Sequence, residues 1–232
     1  MSNAPDNAVL IFGATGHTGA HTVAYALKTF GQVYVFVRNP DKLSSVVRAQ
    51  VHLMVGDLTD PAAVAAAVSK ASPRAIIICS GHPPKDAVTP LNAIAVRAIV
   101  GALSQAGQLR ACFVVYLSGL FCDTPDDPLP WYAKWVRGII VPMSGFQASF
   151  QDNLAVTRYL TAGEAGDLQF TIVRMGYPVE AASKGTIIPV AHNPMGAVTF
   201  DDMGRFLVKL ADGEHRAEAL GKAIKASYAK HR

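Results

Sequence analysis

Cysteine is scarce in this 232-residue chain: Cys79, Cys112 and Cys122 are the only three, and none forms a CxxC pair. An odd, unpaired set argues against a disulfide framework and against a zinc centre. Cys79 and Cys112 lie in apolar runs, as small buried core residues do, which suits a reducing compartment. Long hydrophobic runs are missing as well; none approaches the ~18 residues that span a bilayer. The opening MSNAPDNAVLIF has no basic segment followed by a long apolar one, so no secretory signal and a cytoplasmic location are expected. Charge is sparse, at 16% of residues, with a net +4 and no block of Lys or Arg. That small excess suits an anionic small molecule, and neither nucleic acid nor a membrane is expected as a partner. Much of the basic character falls in HRAEALGKAIKASYAKHR, which reads as a solvated helical tail. Repeats and low-complexity segments are absent.

Half the residues are apolar, and they come in short runs rich in Val and Ile. Strands are predicted at 8–12, 33–37, 51–56, 75–79, 111–117 and 169–174. Helix-length segments alternate with them at 21–30, 61–71, 88–107 and 150–162. Runs without polar alternation belong to strands covered on both faces, and strand–helix alternation at this spacing gives right-handed βαβ units. The expected fold is α/β: a Rossmann-like, doubly wound parallel sheet with a small interleaved C-terminal substrate portion. One domain is expected over 1–232, with a cofactor-binding core at 1–122. The lid and C-terminal part, 123–232, includes the sixth strand. From LFCDTPDDPLPWY onward, with Pro125, Pro128 and Pro130, the pattern reads as a long loop beyond the C-terminal sheet edge, where such sheets bind ligands.

The first strand runs directly into FGATGHTG. Gly13, Gly16 and Gly19 there allow a tight turn, close approach of the backbone to a pyrophosphate, and tight helix–strand packing. The helix N-terminus adds unpaired N–H groups and partial positive charge. Thr15, His17 and Thr18 offer further hydrogen bonds; His17 reads equally well as a loop-lining residue. A glycine triplet alone is weak, but after a first strand and before a helix it points to a dinucleotide.

The second strand ends in FVRNPDKL. An NAD site usually has Asp or Glu there; this chain has Arg38, whose guanidinium pairs with a 2′-phosphate, with Lys42 in support. NADP(H) is therefore the expected cofactor. In GDLTD, Asp57 and Leu58 are placed at the adenine edge, while Asp60 reads as a cap for the next helix. Ser80, Gly81 and His82 of CSGHPP are placed along the middle of the cofactor. No metal site is expected.

GATGHTG, VRNPDKL, GDLTD and YLSGLF resemble the atypical short-chain dehydrogenase/reductase group. More narrowly, they resemble NmrA-like proteins and the flavin reductase or biliverdin-IXβ reductase type. Ordinary short-chain dehydrogenases carry Tyr and Lys four apart on one helix face. No tyrosine of this chain has a lysine four residues on; Tyr132 and Lys134 are two apart. The resemblance implies a cofactor-contacting Ser118 beside the nicotinamide. Ser118 reads as an active-site hydroxyl or, equally, as a strand-end hydrogen-bonding residue. The family's Asp–His pair aligns with Asp152 and Asn153, and asparagine is no proton donor. The family's loop over the nicotinamide matches IVRMGYPVE, with Met175 where proline is usual, then Gly176 and Tyr177. Tyr177 reads as a stacking partner for a reacting ring or as a partly buried aromatic. Trp131 and Trp135 read as a cap for a flat acceptor or as a hydrophobic lid. Asp201 or Asp202 reads as a helix cap.

The resemblance implies an NADPH-dependent oxidoreductase passing hydride to a flat, conjugated small molecule such as a flavin, quinone or tetrapyrrole. The alternative is a non-catalytic NADP(H)-binding redox sensor that signals to a protein partner.

Overall fold

The computed structural model of the protein describes residues 7–81, 90–124, 127–143, 145, 147–191 and 196–229. β1 (Ala8–Phe12) is buried at every position. α1 (His17–Thr29) leads from it to β2 (Gln32–Val37), and a short turn of helix with α2 (Ser45–Arg48) leads on to β3 (His52–Val55). α3 (Pro61–Ala71) precedes β4 (Ala75–Ile78), and α4 (Leu91–Gln105) precedes β5 (Phe113–Ser118). Two helices, α5 (Trp131–Met143) and α6 (Gln147–Thr161), then lead to β6 (Gln169–Met175). The remainder runs β7 (Tyr177–Val179), β8 (Ile187–Val190), β9 (Ala197–Thr199), α7 (Phe200–Asp212), α8 (Arg216–Ala219) and β10 (Lys222–Tyr228).

The main sheet has the order β3-β2-β1-β4-β5-β6-β10-β8. Its pairings are parallel except β10 with β8. From β1 the chain winds outward to β2 and β3, then returns to build the other half from β4. Order therefore reverses between β1 and β4, and a crevice opens beyond their carboxyl ends. Alternate residues of each strand feed opposite cores. Val9 and Ile11 pack with α1 and α7 residues such as Val23 and Leu207; Leu10 and Phe12 pack with α3, α4 and α6 residues such as Val64, Ile99 and Leu160. These two cores are the physical content of the doubly wound architecture expected from the apolar runs.

Three expectations are corrected. The basic C-terminal segment is not a solvated helix: Lys222–Tyr228 is β10, inserted between β6 and β8. Ile224 and Ala226 alternate inward with period two. Lys225 hides that signal, because its charge is neutralised in space by Asp127 at 3.0 Å. The proline-rich stretch is not all loop, because α5 begins right after Pro130. The Pro130 carbonyl accepts from the N–H groups of Ala133 and Lys134 at 3.0 and 3.1 Å, so the prolines precede the helix, where they cost nothing. Finally, Thr199, not an aspartate, caps α7; its hydroxyl accepts from the Asp202 N–H at 3.1 Å. Asp201 instead accepts from the Tyr25 hydroxyl at 3.0 Å, and Asp202 is the centre of a buried network.

Candidate dinucleotide site

The glycine turn joins β1 to α1 beside the end of β4. Gly13 has φ +87°, and a Cβ there would lie 2.5 Å from the Ser80 nitrogen. A Cβ on Gly19 would lie 1.9 Å from the Gly13 carbonyl oxygen. No side chain fits at either position, so the turn presses against both its own helix and the neighbouring strand. Gly16 closes the turn with its N–H donating to the Gly13 carbonyl at 3.0 Å. It also stands at the N-cap of α1, where no side chain accepts from the first-turn N–H groups. Those donors are oriented for an anion.

A cleft of about 610 Å³ starts at Gly13, Thr15 and Gly16 and is lined further on by Arg38, Lys42, Asp57, Leu58, Ser80 and Gly81. Of the residues expected from sequence, these are brought together. His17 and Thr18 are not on that lining. His17 stacks on Phe200, with ring centroids 4.9 Å apart, and its Nδ1 lies 3.9 Å from Glu180. Thr18 is buried and donates to the Met203 sulfur at 3.5 Å. Both side chains therefore serve the α1–α7 side, and their contribution to an anion would come from the main chain. His82 lies outside the described residues.

Arg38 reaches across the cleft mouth, its Nη1 4.0 Å from the Asp57 carboxylate. That guanidinium is three-quarters exposed, so the pair itself contributes little stability and leaves Arg38 free to turn toward a ligand. Asp57 accepts from the N–H and hydroxyl of Thr59 at 2.8 and 2.7 Å. These two bonds, with Arg38 behind them, hold its carboxyl below the usual range despite partial burial. Asp60 caps α3, as expected, by accepting from the N–H groups of Ala62 and Ala63.

Sequence reading passed over several lining residues. Phe36 and Cys79 belong to strand ends and looked like plain core; Leu91 opens α4. Cys79 turns its sulfur toward the Phe12 carbonyl at 3.3 Å, and burial pushes its thiol up to about 12. Asn92 was also missed. Its side chain accepts from the Ser80 hydroxyl at 2.5 Å and donates to the Ser80 carbonyl at 3.3 Å, fixing the exit of β4 against α4. An asparagine in the first turn of the helix after CSGHPP was the available signal.

The residues assigned to the reacting end are arranged differently. Ser118 ends β5, but its hydroxyl oxygen is buried without a partner of good hydrogen-bond geometry, with the Cys122 thiol close by. Met175 is in the core, Gly176 is buried, and Tyr177 is 73% exposed. None of these four lines the cleft described above. Asp152 is buried and caps α4 from the neighbouring helix, accepting from the N–H groups of Asn92 and Ala93 at 2.8 and 2.9 Å. A carboxylate at a helix N-terminus is stabilised by those donors and by the dipole. Asn153 accepts from the Tyr116 hydroxyl at 2.6 Å and donates to the Ser149 carbonyl. Burial holds the Tyr116 phenol well above its ordinary pKa, so it keeps its proton.

The glycine cradle, the uncapped helix and the cations at the far end of the cleft fit an adenine dinucleotide. Comparison with known proteins agrees. "Probable pinoresinol-lariciresinol reductase 3" of Arabidopsis thaliana is 30% identical over 105 residues, covering 44% of this chain. The match spans 31% of that relative, about a third of its length. Among solved structures, ChuY, an anaerobillin reductase from Escherichia coli, superposes with a TM-score of 0.69 at 23% identity, covering 97% of this chain and 98% of that one. The oxidoreductase ylbE from Lactococcus lactis gives 0.71 at 21% identity, covering 96% and 91%. At these identities the structural likeness shows a shared fold. A family model described as NAD(P)H-binding matches residues 13–214, and the chain belongs to that family.

Proposed function

We propose that this protein is an NADPH-dependent reductase of a flat, conjugated small molecule of the flavin, quinone or linear tetrapyrrole class. The observation that carries the cofactor choice is the end of β2. There Arg38 and Lys42 border the cleft where a carboxylate would select NAD. A 2′-phosphate offers the guanidinium two charge-assisted hydrogen bonds. When bound, the dinucleotide supplies a hydride from nicotinamide C4. The chain's own part is to bind and orient: first-turn N–H groups of α1 toward the diphosphate, Arg38 and Lys42 toward the 2′-phosphate, Asp57 and Leu58 toward adenine. Ser80 and Gly81 border the middle. Acceptors of this class take their proton from solvent, so the missing Tyr–Lys pair is compatible with reduction. That ChuY is an anaerobillin reductase and the Arabidopsis relative a probable pinoresinol-lariciresinol reductase supports a reductase reading by analogy.

Calorimetric titration with NADPH and NADH tests the cofactor, with NADPH expected to bind about tenfold tighter or more. Following the reduced-nicotinamide absorbance across flavin, quinone and tetrapyrrole acceptors tests the reaction. Absence of acceptor-dependent oxidation across the panel would count against reduction of those classes. One observation favours a second reading, a redox sensor without catalysis: the candidate proton donors are occupied or enclosed, with Tyr116 tied to Asn153 and the Ser118 hydroxyl buried. That reading requires a protein partner whose binding differs between NADP⁺ and NADPH. Identical partner sets in the two states would remove it.

A further inference from the structure

β10 lies between two strands of the sheet and still carries a charge on one of its faces. Ile224 and Ala226 pack into the first core, so Ala223 and Lys225 belong to the opposite face. Register sets Lys225 beside Arg174 of β6 on one side and Val190 of β8 on the other. The Lys225 side chain is 13% exposed and that of Arg174 is 1% exposed. Asp127 answers both: one carboxylate oxygen pairs with Arg174, and the other accepts from Lys225 Nζ at 3.0 Å. No other acidic side chain among the described residues pairs with either cation. Two cations and one carboxylate leave one positive charge unanswered in a largely buried place, which is costly without a further anion. Donors are in surplus as well. An ammonium has three N–H groups, and among the described residues only the Asp127 oxygen accepts from Lys225.

An open pocket of about 400 Å³ lies at this surplus. Lys225 and Asp127 line it together with Pro189, Val190, Ala191 and Ala223. It shares no lining residue with the dinucleotide cleft, and β5 and β6 stand between β4 and β10 in the sheet. We propose that this pocket binds a small organic monoanion, a carboxylate on an apolar body. The carboxylate takes the remaining N–H groups of Lys225, and the body lies along Pro189, Val190, Ala191 and Ala223. Small-molecule sites are built this way, with mostly apolar walls and a few polar groups that fix orientation. The charge count selects the class. One carboxylate brings Arg174, Lys225 and Asp127 to neutrality. A phosphate monoester carries nearly two negative charges at neutral pH and leaves a negative surplus beside Asp127. A neutral ligand leaves the positive charge unanswered. The site stands apart from the dinucleotide cleft, so the proposal does not depend on the reductase reading.

Full-length protein is titrated calorimetrically with benzoate, with its neutral counterpart benzamide, and with phenyl phosphate. Benzoate is expected to give saturable heat and to bind about tenfold tighter than either of the others. Lys225→Met removes the ammonium and should lower benzoate affinity about tenfold. Val190→Asp answers the surplus charge from the chain itself and should lower it by about the same factor, so it decides the matter should Lys225→Met fail to fold. Asp127→Asn deletes the internal carboxylate and should raise benzoate affinity about fivefold. Circular dichroism checks that each variant is folded, and NADPH affinity should stay unchanged in all three. Four results overturn the proposal: no saturable heat with benzoate; benzamide or phenyl phosphate binding as tightly as benzoate; benzoate affinity unmoved in the folded Lys225→Met or Val190→Asp protein; or benzoate binding lost when NADPH saturates the cleft, which assigns benzoate to the dinucleotide site.

Discussion

The glycine turn after β1 and the segment from Cys122 to Met143 occupy the same end of one parallel sheet, yet they are built by opposite means. The turn is made of backbone. Gly13 and Gly19 leave no room for a methyl group, and the donors are main-chain N–H groups whose direction is fixed by α1. The later segment is held by side chains from distant strands. Asp127 pairs with Arg174 of β6 and Lys225 of β10, and Arg174 also donates to the Cys122 carbonyl at 3.2 Å. Arg174 is 1% exposed, so its charge depends on that carboxylate. A backbone site of this kind tolerates almost no change. A side-chain-tethered segment can be rebuilt residue by residue, and this is where acceptor or partner choice resides on such folds.

The contrast is broken most severely at Gly19. Valine there must displace the Gly13 carbonyl, which is backbone and cannot swing aside. Gly19→Val is expected to destabilise the protein by about 3 kcal/mol or more and to abolish dinucleotide binding. Thermal unfolding and calorimetry check both. Retention of NADPH affinity in the variant would show that the turn is looser than its contacts imply.

Next in size is Arg38→Asp. Repulsion replaces attraction at the proposed 2′-phosphate position, and the nearby Asp57 adds a second negative charge. NADPH affinity is expected to fall about 100-fold while NADH affinity changes a few-fold at most. Equal losses for the two would show that Arg38 does not read the phosphate, and the cofactor preference would have to lie elsewhere.

These first two substitutions fall where the sequence was most readable, for a physical reason. GATGHTG and FVRNPDKL are local: the residues that constrain the backbone are those that form the site, so spacing along the chain stands in for distance in space. Asp60 as a cap was legible on the same grounds. Elsewhere the sequence was harder to read because the logic is non-local. Lys225 disguised β10 until Asp127, 98 positions away, supplied its counter-charge. Asp152 aligned with one member of the family's Asp–His pair, and its carboxylate caps α4, 60 positions earlier in the chain. Tyr116 and Asn153 are joined only because β5 and α6 pack together.

Asp202 tests whether such a side-chain centre can rival the backbone turn. Its carboxylate accepts from the Ser183 hydroxyl at 2.6 Å, the Lys184 N–H at 2.8 Å, the Thr199 hydroxyl at 2.8 Å and the Tyr228 hydroxyl at 2.9 Å. Arg205 adds an ion pair at 2.5 Å. Burial alone pushes its pKa up, but these hydrogen bonds outweigh burial and hold it below the ordinary value. A depressed folded-state pKa means the unfolded chain binds the proton more readily. The stabilisation is therefore complete above the ordinary carboxylate pKa and is lost as pH falls through the folded value. Asp202→Asn is expected to cost about 2 kcal/mol at neutral pH and to flatten the acid side of the stability curve. An unchanged acid limb in denaturant titrations across pH would assign the depression to another carboxylate.

The smallest effect is the counterpart of the first. Gly138 lies on α5, is exposed, and a Cβ there would meet nothing within 4 Å. Its φ is not in the left-handed region, so alanine takes up the same backbone without strain. Gly138→Ala is expected to stabilise the helix by about 0.5–1 kcal/mol through the lower entropy of the unfolded chain. What that does to the whole protein depends on whether α5 unfolds with the sheet. The Arg137–Asp123 pair couples the helix to the β5 exit loop, and Asp127 couples the same loop to β6 and β10. If those links make one cooperative unit, the melting temperature rises by a few degrees at most. If α5 opens separately, the global transition stays put while amide exchange within α5 slows by the corresponding factor, about two- to fivefold. The same methyl group that wrecks the backbone-built turn would then measure how loosely the side-chain-built segment is attached.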